Sequence, residues 1–261
     1  MIRKLWNSAA GMLAQSFKVD TIANNVANIN TIGFKKKEVH FQDLLYSSAR
    51  SAGKPAALNE QEKLLVGQGV KPAVAKTYFS QGMLQETGRE LDMAILGDGF
   101  FQIRLPDGRA GFSRAGGFTL DSALRLVTED GYLVDMLPPH LSGKEFTTIS
   151  IDSDGLVRLY NDAGEVTGEG EAAIYRFKNP EGLESMGRNL WLATENSGEA
   201  VGGRPGTAGL GAVRQKFLEY SNVSMIEEMT SLILAQRAYE LSSRAVKTAD
   251  DMWAIANQIR K

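Results

Sequence analysis

The fold is decided by the C-terminal run of residues 221–261, SNVSMIEEMTSLILAQRAYELSSRAVKTADDMWAIANQIRK, which contains neither proline nor glycine. Residues that commonly cap helices stand at its start, Ser221, Asn222 and Ser224. The acidic pair Glu227–Glu228 follows, where the dipole at a helix N-terminus favours negative charge. The run therefore predicts one helix much longer than the ~11–12 residues that are usual in globular proteins.

Apolar side chains recur every three or four residues along this predicted helix, a spacing that is typical of coiled coils. They include Met229, Leu232, Tyr239, Val246 and Trp253. The N-terminal residues 2–28 carry a second apolar stripe with a spacing of seven, Leu5, Met12, Val19 and Val26. Because a thin stripe needs a partner, we predict that the long N- and C-terminal helices pack together as a coiled-coil-like pair.

Between the two helices the apolar pattern changes to the period of two that is typical of β-strands. Phe101, Ile103 and Leu105 alternate with polar residues, and the turn sequence Pro106–Gly108 follows them. The middle of the chain therefore predicts an antiparallel β domain, and the whole chain predicts an α+β fold. The predicted domains are a terminal helical domain (1–30 with 222–261), a connecting domain (31–90 with 188–221, including an insertion at 47–69) and a central β domain (91–187).

The composition excludes several classes of protein. The 261 residues carry a formal net charge of −2, which provides no bulk attraction to nucleic acid. The sequence has no cysteine, so disulfides and thiol chemistry are excluded. No apolar run reaches the ~18 residues of a membrane span. The N-terminal residues lack the continuous apolar segment of a cleavable secretory signal.

Residues that could catalyse a reaction or bind a metal are few. The histidines His40 and His140 have no second histidine at metal-ligand spacing. Asp152–Gly155 resembles part of a calcium loop without its closing glutamate, so a tight turn is favoured. Gly202–Gly206 lacks the Lys-Ser/Thr ending of a phosphate loop. We predict no catalytic residue, metal or cofactor, and we interpret Lys35–Lys37 as a solvent-exposed basic face.

Seven short motifs occur together over nearly the whole chain. They are IANNVAN (22–28), TIGFK (31–35), GDGFF (97–101), SRAG (113–116), GYLV (131–134), SNV (221–223) and AQRAYE (235–240). Together they resemble the signatures of the bacterial flagellar rod and hook axial proteins, and the distal rod type is the most similar. The terminal signature residues are Asn24, Asn25, Asn28, Gly33, Phe34, Gln236, Arg237, Tyr239 and Glu240.

The resemblance implies a structural subunit that polymerises helically into a hollow, rigid drive shaft, transmits motor torque to the hook and conducts exported flagellar proteins. The implied partners are copies of the chain itself, proximal rod proteins, the hook protein, basal-body ring proteins, a rod cap factor and the flagellar type III export apparatus, with no nucleic acid. The implied location is the periplasm-spanning rod of the basal body, reached without a cleaved signal peptide. The terminal helices of such subunits pair only on assembly.

The resemblance also implies roles for particular residues. It places the C-terminal helix innermost, around the export channel. Four residues spaced by seven are expected to face that channel, Gln236, Ser243, Asp250 and Asn257. Residues 47–69 occupy the place of an insertion that makes distal rods straight and stiff, so we expect them to form axial contacts between subunits.

Two alternative functions stay open at this point. A proximal rod or hook subunit of the same family would share both terminal signatures. A secreted soluble β module that carries rod-like export ends would need a binding site in the β domain, and the sequence shows none there.

Overall fold

The computed structural model describes residues 2–44, 47–48, 65–66, 69–138, 141 and 147–259. Its helices are α1 (Ile2–Ala27), α2 (Met225–Ile259) and a short 3-10 helix (Pro180–Gly182). The strands are β1 (Lys37–Asp43), β2 (Ser47–Ser48), β3 (Leu65–Val66), β4 (Val70–Thr77), β5 (Leu84–Glu86), β6 (Met93–Leu96), β7 (Phe101–Arg104), β8 (Ala110–Ser113), β9 (Phe118–Leu120), β10 (Leu126–Thr128), β11 (Leu133–Val134), β12 (Thr148–Ile151), β13 (Leu156–Tyr160), β14 (Val166–Glu171), β15 (Ile174–Arg176), β16 (Glu184–Gly187), β17 (Leu190–Leu192), β18 (Val201–Gly203), β19 (Ala212–Gln215) and β20 (Phe217–Glu219). No helix of the described part is long and apolar enough to cross a membrane.

The chain divides into two compact units, of which the first contains both helices. This helical unit comprises residues 1–27, 37–76 and 224–261. The two helices run antiparallel, because Asn25 near the end of α1 bonds Glu228 at the start of α2, whereas Gly11 lies beside Ser242. A Cβ atom on Gly11 would lie 3.5 Å from the Ser242 hydroxyl, so the two backbones approach closely there.

The prediction of a long coiled-coil helix pair is wrong. The described residues have one α-helix at each end and a large antiparallel β-rich region between them. A coiled coil buries large apolar knobs, but Met229, Tyr239 and Trp253 are about half exposed. Among the described helix residues, the buried apolar side chains are instead Ala14, Ile22, Ala235 and Ala249, three of which are alanines. The apolar spacing was therefore a poor guide to which side chains the two helices bury against each other.

The second unit, residues 28–36 and 77–223, is built from antiparallel strands. Its largest sheet has seven strands in the order β16-β17-β8-β7-β11-β10-β9, and β12, β13 and β14 form a three-stranded sheet. Two-stranded ladders pair β15 with β18, β19 with β6 and β20 with β5. The main core contains Met93, Ile95, Phe101, Phe118, Met136, Ile149, Val157, Leu159, Ile174 and Val213.

The alternation in β7 is what the sequence pattern predicts, with Phe101 and Ile103 buried and Arg104 exposed. The end of this unit does not form one continuous strand. Two short strands, β19 and β20, stand there, and Lys216, with a φ of 66°, separates them. A left-handed residue interrupts the alternation of an extended strand.

The predicted insertion at 47–69 lies largely outside the described residues, within which only β2, β3 and Gly69 belong to it. Its axial contacts therefore stay a prediction, as does the three-part division into domains. His140 also lies outside the described residues.

Gly116→Ala is expected to lower the free energy of unfolding of the full chain by about 3 kcal/mol. An added Cβ would lie 1.6 Å from the carbonyl oxygen of Met93, so two backbone segments would have to separate. The matched control is Gly108→Ala, where φ is 82° and no atom lies within 4 Å. We expect the control to cost only about 1 kcal/mol of backbone strain. Urea unfolding followed by tryptophan fluorescence measures both, and equal costs would contradict the close approach at Gly116.

Candidate functional site

A buried carboxylate, that of Glu219 at the end of β20, is the centre of a polar cluster in the β-rich unit. Its Oε1 atom lies 2.6 Å from Nζ of Lys35, and both side chains are fully buried. The same oxygen accepts a hydrogen bond of 2.8 Å from the backbone N–H of Gly82. Its Oε2 atom accepts a longer bond, 3.4 Å, from Nη1 of Arg114. One carboxylate therefore joins three segments of chain that are far apart in the sequence.

Backbone contacts hold the same segments in place. The N–H of Gly33 donates to the carbonyl of Glu219 at 2.8 Å, and the ammonium of Lys35 donates to the carbonyl of Ser80 at 2.8 Å. Gly33 has a φ of 69°, and a Cβ there would lie 2.5 Å from the backbone nitrogen of Ala115. Only glycine satisfies both the backbone conformation and the space, so this signature position has a physical reason.

Asn222 forms a second set of contacts in the same unit. Its Oδ1 accepts a bond of 2.7 Å from the N–H of Lys36, and its Nδ2 donates to the carbonyls of Tyr78 and Ser80. Asn222 was predicted as a possible helix cap, but α2 begins only at Met225. The side chain instead binds the segment that contains the N-terminal signature.

The cluster corrects the interpretation of the lysine run. Lys35 was expected on a solvent-exposed face, but its side chain is fully buried. Burial lowers the pKa of the Lys35 ammonium, and the charge of Glu219 opposes this effect. Burial also lowers the pKa of the Arg114 guanidinium, and the charge of Glu219 again opposes this effect. The only local signal for the Lys35–Glu219 pair is an apolar neighbour beside each, Phe34 and Leu218.

A separate polar contact lies in the helical unit, around Asn25. The Asn25 side chain is 1% exposed. It accepts a bond of 3.0 Å from the N–H of Lys37 and donates to the carbonyl of the same residue at 2.8 Å. It also donates to Oε2 of Glu228 at 3.1 Å. The end of α1, the start of β1 and the first turn of α2 therefore meet at one amide, which explains why this signature position is an asparagine.

Apart from Phe34, the other residues predicted for the signatures, the helix stripes and the channel are half-buried or exposed. Among the signature residues, Phe34 is buried and Asn28 half-buried, whereas Asn24, Gln236, Arg237, Tyr239 and Glu240 are exposed. The remaining stripe residues Leu5, Met12, Val19, Val26, Leu232 and Val246 are half-buried. The channel-facing candidates Gln236, Ser243, Asp250 and Asn257 are all exposed. Their roles in assembly therefore stay predictions.

Buried polar contacts thus connect N-terminal and C-terminal residues within each unit, at Lys35–Glu219 and at Asn25–Glu228. The N-terminal and C-terminal segments are therefore joined within each of the two units. Within the residues that the structure describes, no group of three or more acidic, histidine or cysteine side chains could hold a metal ion.

Comparison with known proteins identifies the family. Residues 5–35 match the family described as "Flagella basal body rod protein", residues 94–159 match "Flagellar hook protein FlgE/F/G D1 domain", and residues 214–259 match "Flagellar basal body rod FlgEFG protein C-terminal". The flagellar basal-body rod protein FlgG of Borreliella burgdorferi is 46% identical over 266 residues, which cover 100% of both chains. Its counterparts in Caulobacter vibrioides and Bacillus subtilis are 39% and 37% identical, and cover 99% and 97% of this chain and 100% and 97% of their own.

The chain belongs to the family of flagellar basal-body rod proteins. The resemblance that the seven motifs indicated is therefore confirmed. The prediction that the chain is not an enzyme is confirmed as well, since the relatives are rod proteins.

Glu219→Gln is expected to lower the free energy of unfolding of the full chain by about 3–5 kcal/mol, because it leaves Lys35 and Arg114 buried without a counter-charge. The matched control is Asp135→Asn, which breaks a pair of similar length, 2.7 Å, whose side chains are exposed to solvent. We expect the control to cost less than about 1 kcal/mol. Urea unfolding at neutral pH measures both variants. A Glu219→Gln chain as stable as the control would contradict a central role for the buried carboxylate.

Proposed function

We propose that this chain is the structural subunit of the distal flagellar rod and that it polymerises helically into a hollow, rigid shaft. The shaft transmits torque to the hook and conducts exported flagellar proteins. Its neighbours are copies of the same chain, the proximal rod and hook proteins at its two ends, and the ring proteins around it. The cap factor and the type III export apparatus act during its assembly.

One observation carries this proposal, the exposure of large apolar side chains on both helices. On α1, Trp6 and Leu13 are 72% and 56% exposed. On α2, Ile226, Leu234 and Leu241 are 79%, 61% and 65% exposed. On each helix these residues are seven or eight positions apart, so they lie along one side of it. An apolar side of this kind marks an interaction site, and a helical polymer would cover it with neighbouring subunits. A secreted soluble module would leave the same side chains in water.

The full-length similarity to several FlgG proteins supports the distal rod over the hook and the proximal rod. Each match to a relative named FlgG covers nearly the whole length of the relative and of this chain. A hook-basal body complex protein of Bacillus subtilis, FlhP, is only 29% identical over the same extent.

Electron microscopy tests the role of the helices in assembly. We compare the full chain at high concentration with a chain that lacks residues 1–30 and 222–261. Only the full chain is expected to form straight hollow rods, because the exposed apolar side chains above lie on the deleted segments. Rods formed equally well by both chains would contradict the proposal, and so would a full chain that stays monomeric at every concentration.

Cysteine labelling tests the channel-facing residues, since the natural chain has no cysteine. We expect Gln236→Cys, Ser243→Cys, Asp250→Cys and Asn257→Cys to be protected from a bulky maleimide in intact rods and labelled in monomers. Glu184→Cys, at an exposed position of β16, is the control that should stay reactive in both states. Free labelling of the four positions in rods would show that they face outward.

A further inference from the structure

A cleft of about 820 Å³ opens in the β-rich unit beside the Glu219 cluster. Its lining includes three phenylalanines, Phe79, Phe100 and Phe177. They form edge-to-face contacts with ring centroids 5.5 Å apart for Phe79–Phe100 and 5.7 Å apart for Phe100–Phe177. The cleft therefore has a preformed apolar wall, and its volume exceeds what a single small ion needs.

Arg114, which also lines the cleft, has unused hydrogen-bonding capacity. It is 3% exposed, and in the described part of the structure it donates only to Glu219, through Nη1. Its Nε atom is buried and has no partner among the described residues. Its guanidinium carbon lies 5.2 Å from the centre of the Phe100 ring. A buried donor without a partner is costly and calls for an explanation.

The charged groups around Arg114 also leave an excess of positive charge. Lys35 and Arg114 share the single carboxylate of Glu219, so this buried group carries one excess positive charge. Asp98 on the rim raises the pKa of Arg114 electrostatically, but no ion pair joins the two within the described residues. Two further cations, Arg176 and Lys178, line the cleft and are exposed. The cleft thus combines an apolar wall with an excess of positive charge, although Glu181 is also on its rim.

We infer that this cleft receives an acidic side chain, with its apolar stem and neighbouring residues, from a second copy of the chain. The carboxylate lies toward Arg114 and the rim cations, and the stem packs on the phenylalanine wall. The chain itself supplies the complementary charge, since Glu86, Glu129 and Glu165 of the same unit are exposed to solvent. The choice of a second copy as the occupant rests on the proposed function, because a homopolymer holds copies in permanent contact.

The first experiment tests the chemistry of the cleft on the full-length monomer. The Arg114 Nε–H resonance, assigned by its loss in Arg114→Lys, is followed by NMR while 3-phenylpropionate is added. We expect a saturable shift with this carboxylate and none with the neutral analogue 3-phenylpropionamide. No shift with either compound, or the same shift with both, would overturn the anion-binding role.

The second experiment tests the source of the carboxylate. Arg176→Glu/Lys178→Glu reverses two exposed charges of the cleft, and Arg104→Glu/Arg109→Glu reverses two exposed charges that do not line it. We expect the cleft variant to raise the critical concentration for rod formation about tenfold or more, the size of a lost charge contact. The control should stay close to the natural chain. Equal critical concentrations for the two variants would overturn the inference and leave the proposed function intact.

Cross-linking identifies the occupant directly. A photoreactive benzoylphenylalanine replaces Val201, an exposed residue of the cleft, and equal amounts of 15N-labelled and unlabelled chain are mixed. Cross-links of mixed isotope to an acidic segment are expected, whereas cross-links within one chain only would overturn the second-copy occupant. Natural chains that form no rods would contradict the proposed function. The mixed-isotope cross-links would then still report whether copies meet at the cleft.

Discussion

The carboxylate of Glu219 lies where no solvent reaches it, and it keeps two cations and a backbone N–H in place. A buried charge is tolerated only when its partners are close and well oriented, so the segments that supply these partners have little freedom. Gly33 shows the consequence, because its backbone lies against Ala115 with no space for a side chain. The motif at residues 31–35 and the motif at residues 113–116 are therefore fixed to each other by electrostatics and by close packing.

The helical unit is held by different forces. Its two helices meet through small residues and through the amide of Asn25, and they leave many large apolar side chains exposed. Helix pairs with so little buried apolar surface gain little stability alone. Neighbouring subunits would cover the exposed side chains and supply the missing burial. One chain thus combines a β-rich unit that has a large buried core with a helical unit that, in the proposed rod, gains apolar burial from neighbouring subunits.

The elements that depend only on local sequence patterns could be predicted from the sequence. The alternation around Phe101 gave the strand, and uninterrupted helical residues gave both helices. The sequence could not predict that Lys35 is buried, because its partner is 184 residues away. The side chains that the two helices bury against each other were predicted wrongly, because heptad spacing does not reveal that small residues such as Ala235 are buried there. The cationic cleft was missed for the same reason, because Arg114 and Phe177 become neighbours only in the folded unit.

Hydrogen–deuterium exchange of the full chain, before and after assembly, tests most directly whether the two units differ in this way. We predict that amides of α1 and α2 exchange rapidly in the monomer and become strongly protected in the rod. The amide of Gly33, bonded to the Glu219 carbonyl, should be protected equally in both states. Helices that are as protected in the monomer as in the rod would contradict the dependence of their stability on neighbouring subunits.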